Sequence, residues 1–273
     1  MNKTFQKIFA KAKAENRSCF VAFVTGMDPD YESSKQILIE LSKYCSVLEV
    51  GVSFNTSTSD SSIIMSANDR AIKSGARTEK IFQLIKEVKS EITSDTAFVT
   101  MGYLNQIHVY GIDKYIKDCK KSGVDGCIVV DSNNESPEDE LIFKGLTKND
   151  IAFIKLIAPT NDSAYIKQSL KKCSSWVYIV SYAGVTGSKD VNLENVKKLT
   201  KMIRKQSNIP IGVGFGVKTL EDVKKVSKLA DLVVCGSNIV ERIKEGSQNG
   251  LSGRNLAHFV SEYVINLAKG VKH

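Results

Sequence analysis

Two kinds of residue in this sequence are placed where chemistry could be done: charges inside apolar runs, and glycines grouped at the ends of such runs. Glu49 lies within Val47-Leu-Glu-Val-Gly51, where strand alternation sets Leu48 and Val50 on one face and Glu49 on the other with Val47 and Gly51. A carboxylate turned into an apolar core is costly unless it is paired or used, and burial raises its pKa toward the range that suits a general acid/base. A salt-bridged structural Glu is the alternative at this position. Asp60 follows in a polar loop, and Asp131 closes Cys127-Ile-Val-Val-Asp131 as a helix cap, a partner contact or a catalyst. Lys155 interrupts Phe153-Ile-Lys-Leu-Ile157, where it either points inward toward Glu49 or snorkels past a helix.

Three glycine-rich turns end successive runs: Ala183-Gly-Val-Thr-Gly187, Gly212-Val-Gly-Phe-Gly216 and Cys235-Gly-Ser237. Backbone N–H groups in such turns, aimed by a helix N-terminus, bind phosphate without a cation. Tight packing turns would look the same singly, but three in succession point to phosphate.

These groups need a frame to hold them. Eight short apolar runs recur along the 273 residues: Phe20–Thr25, Val47–Gly51, Ala97–Met101, Gly126–Val130, Phe153–Ile157, Val177–Ser181, Ile211–Val213 and Leu232–Gly236. Helix-periodic stretches separate them, as in Ser34–Tyr44, Ile112–Ser122 and Leu220–Ala230. Alternating strands and helices imply parallel pairing, and eight such units predict a single α/β domain over 1–273, a closed (β/α)8 TIM barrel. A doubly wound open sheet is the alternative. Phe5, Ile8, Phe9 and Ala12 recur at helical spacing, so residues 1–18 are expected to add an N-terminal helix, with the barrel from about 19. In such a barrel the strands' C-terminal ends carry the chemistry, and phosphate often sits after strands seven and eight.

Composition removes other classes. No run approaches the ~20 apolar residues of a membrane helix, and Met1–Ser18 lacks the apolar stretch of a secretory signal. The formal net charge of +8 comes from lysines dispersed among Glu and Asp, without basic patches interleaved with aromatic platforms, so nucleic acid is not the expected partner. Six cysteines without a CxxC pair read as small core residues in a reducing cytoplasm. Three scattered histidines predict no metal site.

An ordered series of motifs resembles the tryptophan synthase alpha subunit family over nearly the whole chain. It comprises Phe20-Val-Ala-Phe-Val-Thr25 with Asp28-Pro29, Leu48-Glu-Val-Gly-Val52, Asn68-Asp-Arg-Ala71, Tyr110-Gly-Ile-Asp113, Gly123-Val-Asp-Gly126 and Leu156-Ile-Ala-Pro-Thr160. Tyr178-Ile-Val-Ser-Tyr-Ala-Gly-Val-Thr-Gly187, Gly214-Phe-Gly216 and Gly236-Ser237 complete it. The resemblance implies retro-aldol cleavage of indole-3-glycerol phosphate to indole and glyceraldehyde 3-phosphate, with no cofactor in this chain. It implies Glu49 as acid/base, Asp60 as acceptor of the indole N–H and Tyr178 at the pocket edge. Gly187, Gly216, Gly236 and Ser237 would hold phosphate. Thr186 would close over it, and Phe23, Ile157 and Phe215 would line the indole slot. The implied partner is a beta subunit carrying pyridoxal phosphate, in an alpha2beta2 heterotetramer.

The sequence also departs from that pattern. Ser53, Ser57 and Ser62 stand where the family usually has proline, Thr56 replaces an acidic residue, and Asn133 replaces a proline after Asp131. Ser61 stands in for glycine, which predicts strain if the turn needs positive φ. Proline restricts a loop by about 0.4–1 kcal/mol per compatible site, so four losses leave these loops roughly 2–4 kcal/mol less preorganised. The alternative function is therefore a weakened or inactive alpha subunit that activates its beta partner. A stand-alone lyase and a related phosphate-binding barrel such as a sugar isomerase are further readings.

Overall fold

The computed structural model describes residues 1–55, 60–180, 191–214 and 216–273. Strands and helices alternate along the chain in the order α1 (Lys3–Ala14), β1 (Cys19–Thr25), α2 (Tyr31–Leu41), β2 (Val47–Gly51), α3 (Ser62–Lys73), α4 (Thr78–Glu91), β3 (Ala97–Gly102), α5 (Leu104–Tyr110) and α6 (Ile112–Ser122). They continue as β4 (Gly126–Val129), α7 (Pro137–Lys148), β5 (Ala152–Ile154), β6 (Leu156–Ile157), α8 (Ser163–Lys172), β7 (Val177–Val180) and α9 (Leu193–Arg204). The last are β8 (Ile211–Gly214), α10 (Leu220–Ser227), β9 (Leu232–Cys235), α11 (Ser237–Gln248) and α12 (Gly253–Ala268).

All strand pairs are parallel, in the order β5-β4-β3-β2-β1-β9-β8-β7-β6. β5 and β6 are two halves of one strand parted at Lys155, so the sheet runs round an eight-unit (β/α)8 barrel as expected. The two faces of each strand are both buried, which explains the near-continuous apolar runs. Phe20, Leu48, Val50, Phe98, Cys127, Phe153, Ile179 and Val213 face the helix layer. Val21, Val47, Val99, Ile128, Ile154, Tyr178 and Val234 face the lumen.

The N-terminal helix has a particular place. Asn2 caps α1 by accepting the N–H groups of Thr4 and Phe5, and Phe5, Ile8 and Ala12 join the lumen cluster. The Phe5 ring meets Trp176 edge-on at 6.5 Å between centroids, and Trp176 lies 5.7 Å from Tyr178. The helix thus closes the barrel floor and supports the column on which Tyr178 stands.

Two expectations about the fifth strand are corrected by its register. Leu156 is opposite Tyr178 and Ile157 opposite Ile179, so Leu156 shares the lumen face and Ile157 packs among the helices. Ile157 therefore does not line the slot assigned to it, because residues that alternate along a strand cannot share a face. By the same alternation Lys155 points outward. It neither meets Glu49 nor snorkels to solvent: only 2% exposed, its Nζ donates to both Asp139 oxygens at 3.2 and 3.1 Å and also to Ser132 Oγ. Burial lowers the Lys155 pKa, with Asp139 opposing that shift. Asp131 is a cap across elements: its Oδ1 accepts the N–H of Leu104, at the start of α5, at 2.7 Å.

Candidate active site

At the C-terminal end of the barrel, Phe23, Glu49, Asp60, Met101, Tyr178, Val234 and the turns at 216–218 and 236–238 surround a cavity of about 560 Å³, open mouth included. Glu49 stands on the lumen face of β2. It is 1% exposed, and its Oε2 has no hydrogen-bond partner among the described residues. Burial alone pushes its pKa from the usual 4.5 to about 8. The carboxyl is then largely protonated at neutral pH, yet near enough to that pH to give up its proton and regain it. Among the described residues no ion pair reaches Glu49, and Lys155 faces the other way.

Tyr178 enters the lumen from β7, and burial, followed by the nearby Glu49, raises its phenol pKa well above 10. The ring has room because position 214 is glycine: a Cβ there would collide with the Tyr178 hydroxyl and meet its ring atoms at 2.8 Å. Phe23 is fitted in the same way. A Cβ on Gly51 would come 2.8 Å from its ring, and one on Gly236 would meet it at 3.3–3.6 Å.

Asp60 is brought to the cavity by α3. Asn68, buried on that helix, donates from Nδ2 to Asp60 Oδ2 at 3.3 Å. Two residues further, Arg70 grips the buried Asp28 in the loop after β1 with two bonds of 2.7 and 2.8 Å. Burial raises the Asp28 pKa, and Arg70 works against that shift. The loop after β1 is thereby tied to the helix that holds Asp60 through Asn68.

The expected strain at Ser61 is absent. Its φ is −70°, in the extended region open to any residue, and its hydroxyl accepts the N–H of Ile64 at 3.3 Å as the N-cap of α3. Serine suits this position for the reason it suits helix starts generally. Ser61→Ala is expected to cost about 0.5–2 kcal/mol and Ser61→Gly only a few tenths, read by thermal melting. A Gly variant more stable than the parent would restore the strain reading.

Gly236 precedes α11 as its N-cap; among the described residues no side chain caps this helix, and its first turn carries no acid. Gly216 has φ +83°, a conformation glycine adopts without penalty. The exposed helix start and the turn at 216–218 face the same cavity, with Ser237, Asn238 and Lys218 on its wall. Uncapped N–H groups and the positive end of the helix dipole favour an anion there. By contrast α10 is closed by its own Thr219/Asp222 capping box.

Of the residues singled out in the sequence, Phe23, Glu49, Asp60, Tyr178, Gly216, Gly236 and Ser237 line this one cavity. Thr186, Gly187 and Phe215 lie outside the described residues. Sequence reasoning missed Met101, Ile64, Val217, Val234, Lys218 and Asn238 as lining residues. Met101 and Val234 were accessible by carrying the alternation of Val99 and Leu232 one step further; the others depend on how α3 and the turns pack.

Among the described residues no group of three or more His, Cys, Asp or Glu could hold a metal ion, and no helix is long and apolar enough to cross a membrane. Comparison with solved structures finds the same fold repeatedly. A protein from Aquifex aeolicus VF5 is 28% identical with a TM-score of 0.86, covering 100% of both chains. Tryptophan synthase subunit alpha from Legionella pneumophila str. Paris is 25% identical with a TM-score of 0.88, over 99% of this chain and 98% of that one. Mycobacterium tuberculosis tryptophan synthase is similar in fold, at 24% identity and a TM-score of 0.88 over 100% of both chains. The sequence profile of the family described as tryptophan synthase alpha chain matches residues 9–268, and this chain therefore belongs to that family.

Proposed function

We propose that this chain cleaves indole-3-glycerol phosphate to indole and glyceraldehyde 3-phosphate. The observation that carries the reading is Glu49: a buried carboxyl with a pKa of about 8, its Oε2 without a partner among the described residues, in a cavity that also holds Asp60, Tyr178 and the start of α11. Cleavage needs one proton delivered to indole C3 and one taken from the hydroxyl on the adjoining side-chain carbon. The carbon–carbon electron pair then returns to the ring. Glu49 can give the first proton and accept the second, so the step balances without a co-reactant in this chain. Asp60, oriented by Asn68, accepts the indole N–H and stabilises positive charge developing on the ring. Phe23 offers an apolar wall, and Gly216, Gly236 and Ser237 the phosphate cradle. Gly187, Thr186 and Phe215 keep the phosphate and pocket roles that the family resemblance gives them.

We further propose a beta subunit as partner in an alpha2beta2 assembly, with pyridoxal phosphate confined to that subunit. Six buried free cysteines fit a reducing, cytoplasmic setting.

The test is indole release from indole-3-glycerol phosphate, with and without added beta subunit. Glu49-dependent release, stimulated by the partner, supports the lyase. No release under either condition, with beta-subunit activation intact, supports the regulatory alternative. A charge at the phosphate cradle gives an independent check. Ser237→Asp is expected to raise KM at least about tenfold by like-charge repulsion, while melting stays unchanged or rises slightly because acids suit helix starts. An unchanged KM would remove phosphate from this turn.

A further inference from the structure

Gln106 is the third residue of α5, and its side-chain amide makes three contacts. Its Oε1 accepts the N–H of Tyr103, the residue before the helix, at 3.0 Å, while its Nε2 donates to the carbonyls of Ser53 at 2.9 Å and Val52 at 3.3 Å. The first contact sets the direction of the amide: turned over, its NH2 would oppose the Tyr103 N–H. The donor end therefore faces the two carbonyls that open the loop leading from β2 to Asp60. Two further contacts hold the same root. Ser53 Oγ reaches the Gly26 carbonyl at 3.4 Å, and the Phe54 ring lies 5.2 Å from that of Tyr103. At the far end Ser61 caps α3 and Asn68 holds Asp60. This loop has serine at 53, 57 and 62, where proline would have restricted the backbone.

We propose that Gln106 is a positioning residue that anchors the root of the Asp60 loop, a non-covalent substitute for the restriction proline would impose. The inference rests on the lyase reading of the same cavity. A merely structural helix cap would need the acceptor end of the amide alone, whereas an anchor needs the donor end. Gln106→Glu separates the two, because it keeps an oxygen for Tyr103 and turns the other against two carbonyls. Three quantities are to be compared between Gln106→Glu and the parent: amide hydrogen exchange over 52–55, kcat/KM for indole-3-glycerol phosphate, and affinity for glycerol 3-phosphate.

Faster exchange, a roughly tenfold loss of kcat/KM and unchanged glycerol 3-phosphate affinity are expected, since a displaced acid costs rate while the phosphate cradle is untouched. In an Asp60→Asn background the same change should cost nothing further. Unchanged exchange, or an equal loss of glycerol 3-phosphate affinity, would overturn the proposal. Should the parent chain itself release no indole, the lyase reading fails and the positioning role goes with it; exchange over 52–55 then reports the anchor alone.

Discussion

Glu49→Gln is expected to abolish indole release and, at pH 8, to raise the melting temperature. The loss of turnover follows from removing the proton-transfer group, whose placement in such sites contributes roughly 10²–10⁴-fold. The gain in stability has the same origin. Burial holds the folded-state pKa at about 8 against an ordinary 4.5, so the native chain binds a proton that the unfolded chain has released. For an acid shifted upward, the stability contribution is fully present below the unfolded pKa and is lost as pH rises through the folded one. The parent is therefore penalised progressively between about pH 4.5 and 8, and the amide variant, which carries no titrating group there, is not.

At 1.36 kcal/mol per pKa unit the penalty has a ceiling of about 5 kcal/mol. The open mouth of the cavity and relaxation reduce it, leaving about 1–3 kcal/mol, or roughly 2–5 °C for a chain of this size. Melting curves from pH 4.5 to 9 are the measurement: the variant and parent should coincide at the acid end and separate toward pH 8. A constant gap, or a variant less stable at pH 8, would mean that Glu49 is not held neutral by burial. In the active parent, kcat/KM should fall as pH rises through about 8, where the protonated acid is lost.

Lys155→Met is the second large effect, and here the loss is structural. The ammonium and the Asp139 carboxylate are each almost fully buried, 3.1 Å apart at closest, and Ser132 bonds to both. Removing one member of a buried pair strands the other, which typically costs about 3–5 kcal/mol. Lys172, 3.7 Å from Asp139 and 17% exposed, supplies partial compensation, so about 2–4 kcal/mol is the expected loss. Replacing both partners, Lys155→Met with Asp139→Leu, should recover most of it, because an apolar pair of similar volume has no charge left to desolvate. Equilibrium unfolding of the two single variants and the double variant measures this. A single-variant loss below about 0.5 kcal/mol would show that solvent or Lys172 already satisfies Asp139.

The pair also bears on the loop after β4. Ser132 belongs to that loop, and Lys172 donates to the Asn134 carbonyl at 2.7 Å. The sequence has Asn133 where proline is usual, so this loop, like Val52 and Ser53 at the end of β2, is held by side-chain bonds. In both places the loss of backbone restriction that the sequence announces is offset by contacts it does not reveal.

The sequence by itself determined the architecture and the face on which Glu49 stands. Eight apolar runs separated by helical periods leave a parallel barrel as the arrangement that buries both faces of every strand. Strict alternation fixed the inward face of Glu49 from Leu48 and Val50 alone. The glycine turns at 216 and 236 marked the end of the barrel where the cavity opens, because glycine there reflects backbone demands that are local.

Tertiary structure decided what depends on partners distant in sequence. Whether Lys155 and Ile157 faced the lumen hung on the register between β6 and β7, and a one-residue shift exchanges the two faces. Whether serine at 61 is strained depends on the sign of φ, and that is set by the start of α3. Gln106 gave no sign in the sequence, since its partners at Val52 and Ser53 lie 54 and 53 residues away. The pKa of Glu49 likewise required the closed barrel. A carboxyl's position can be read from a two-residue period, but its proton affinity depends on every strand that keeps water from it.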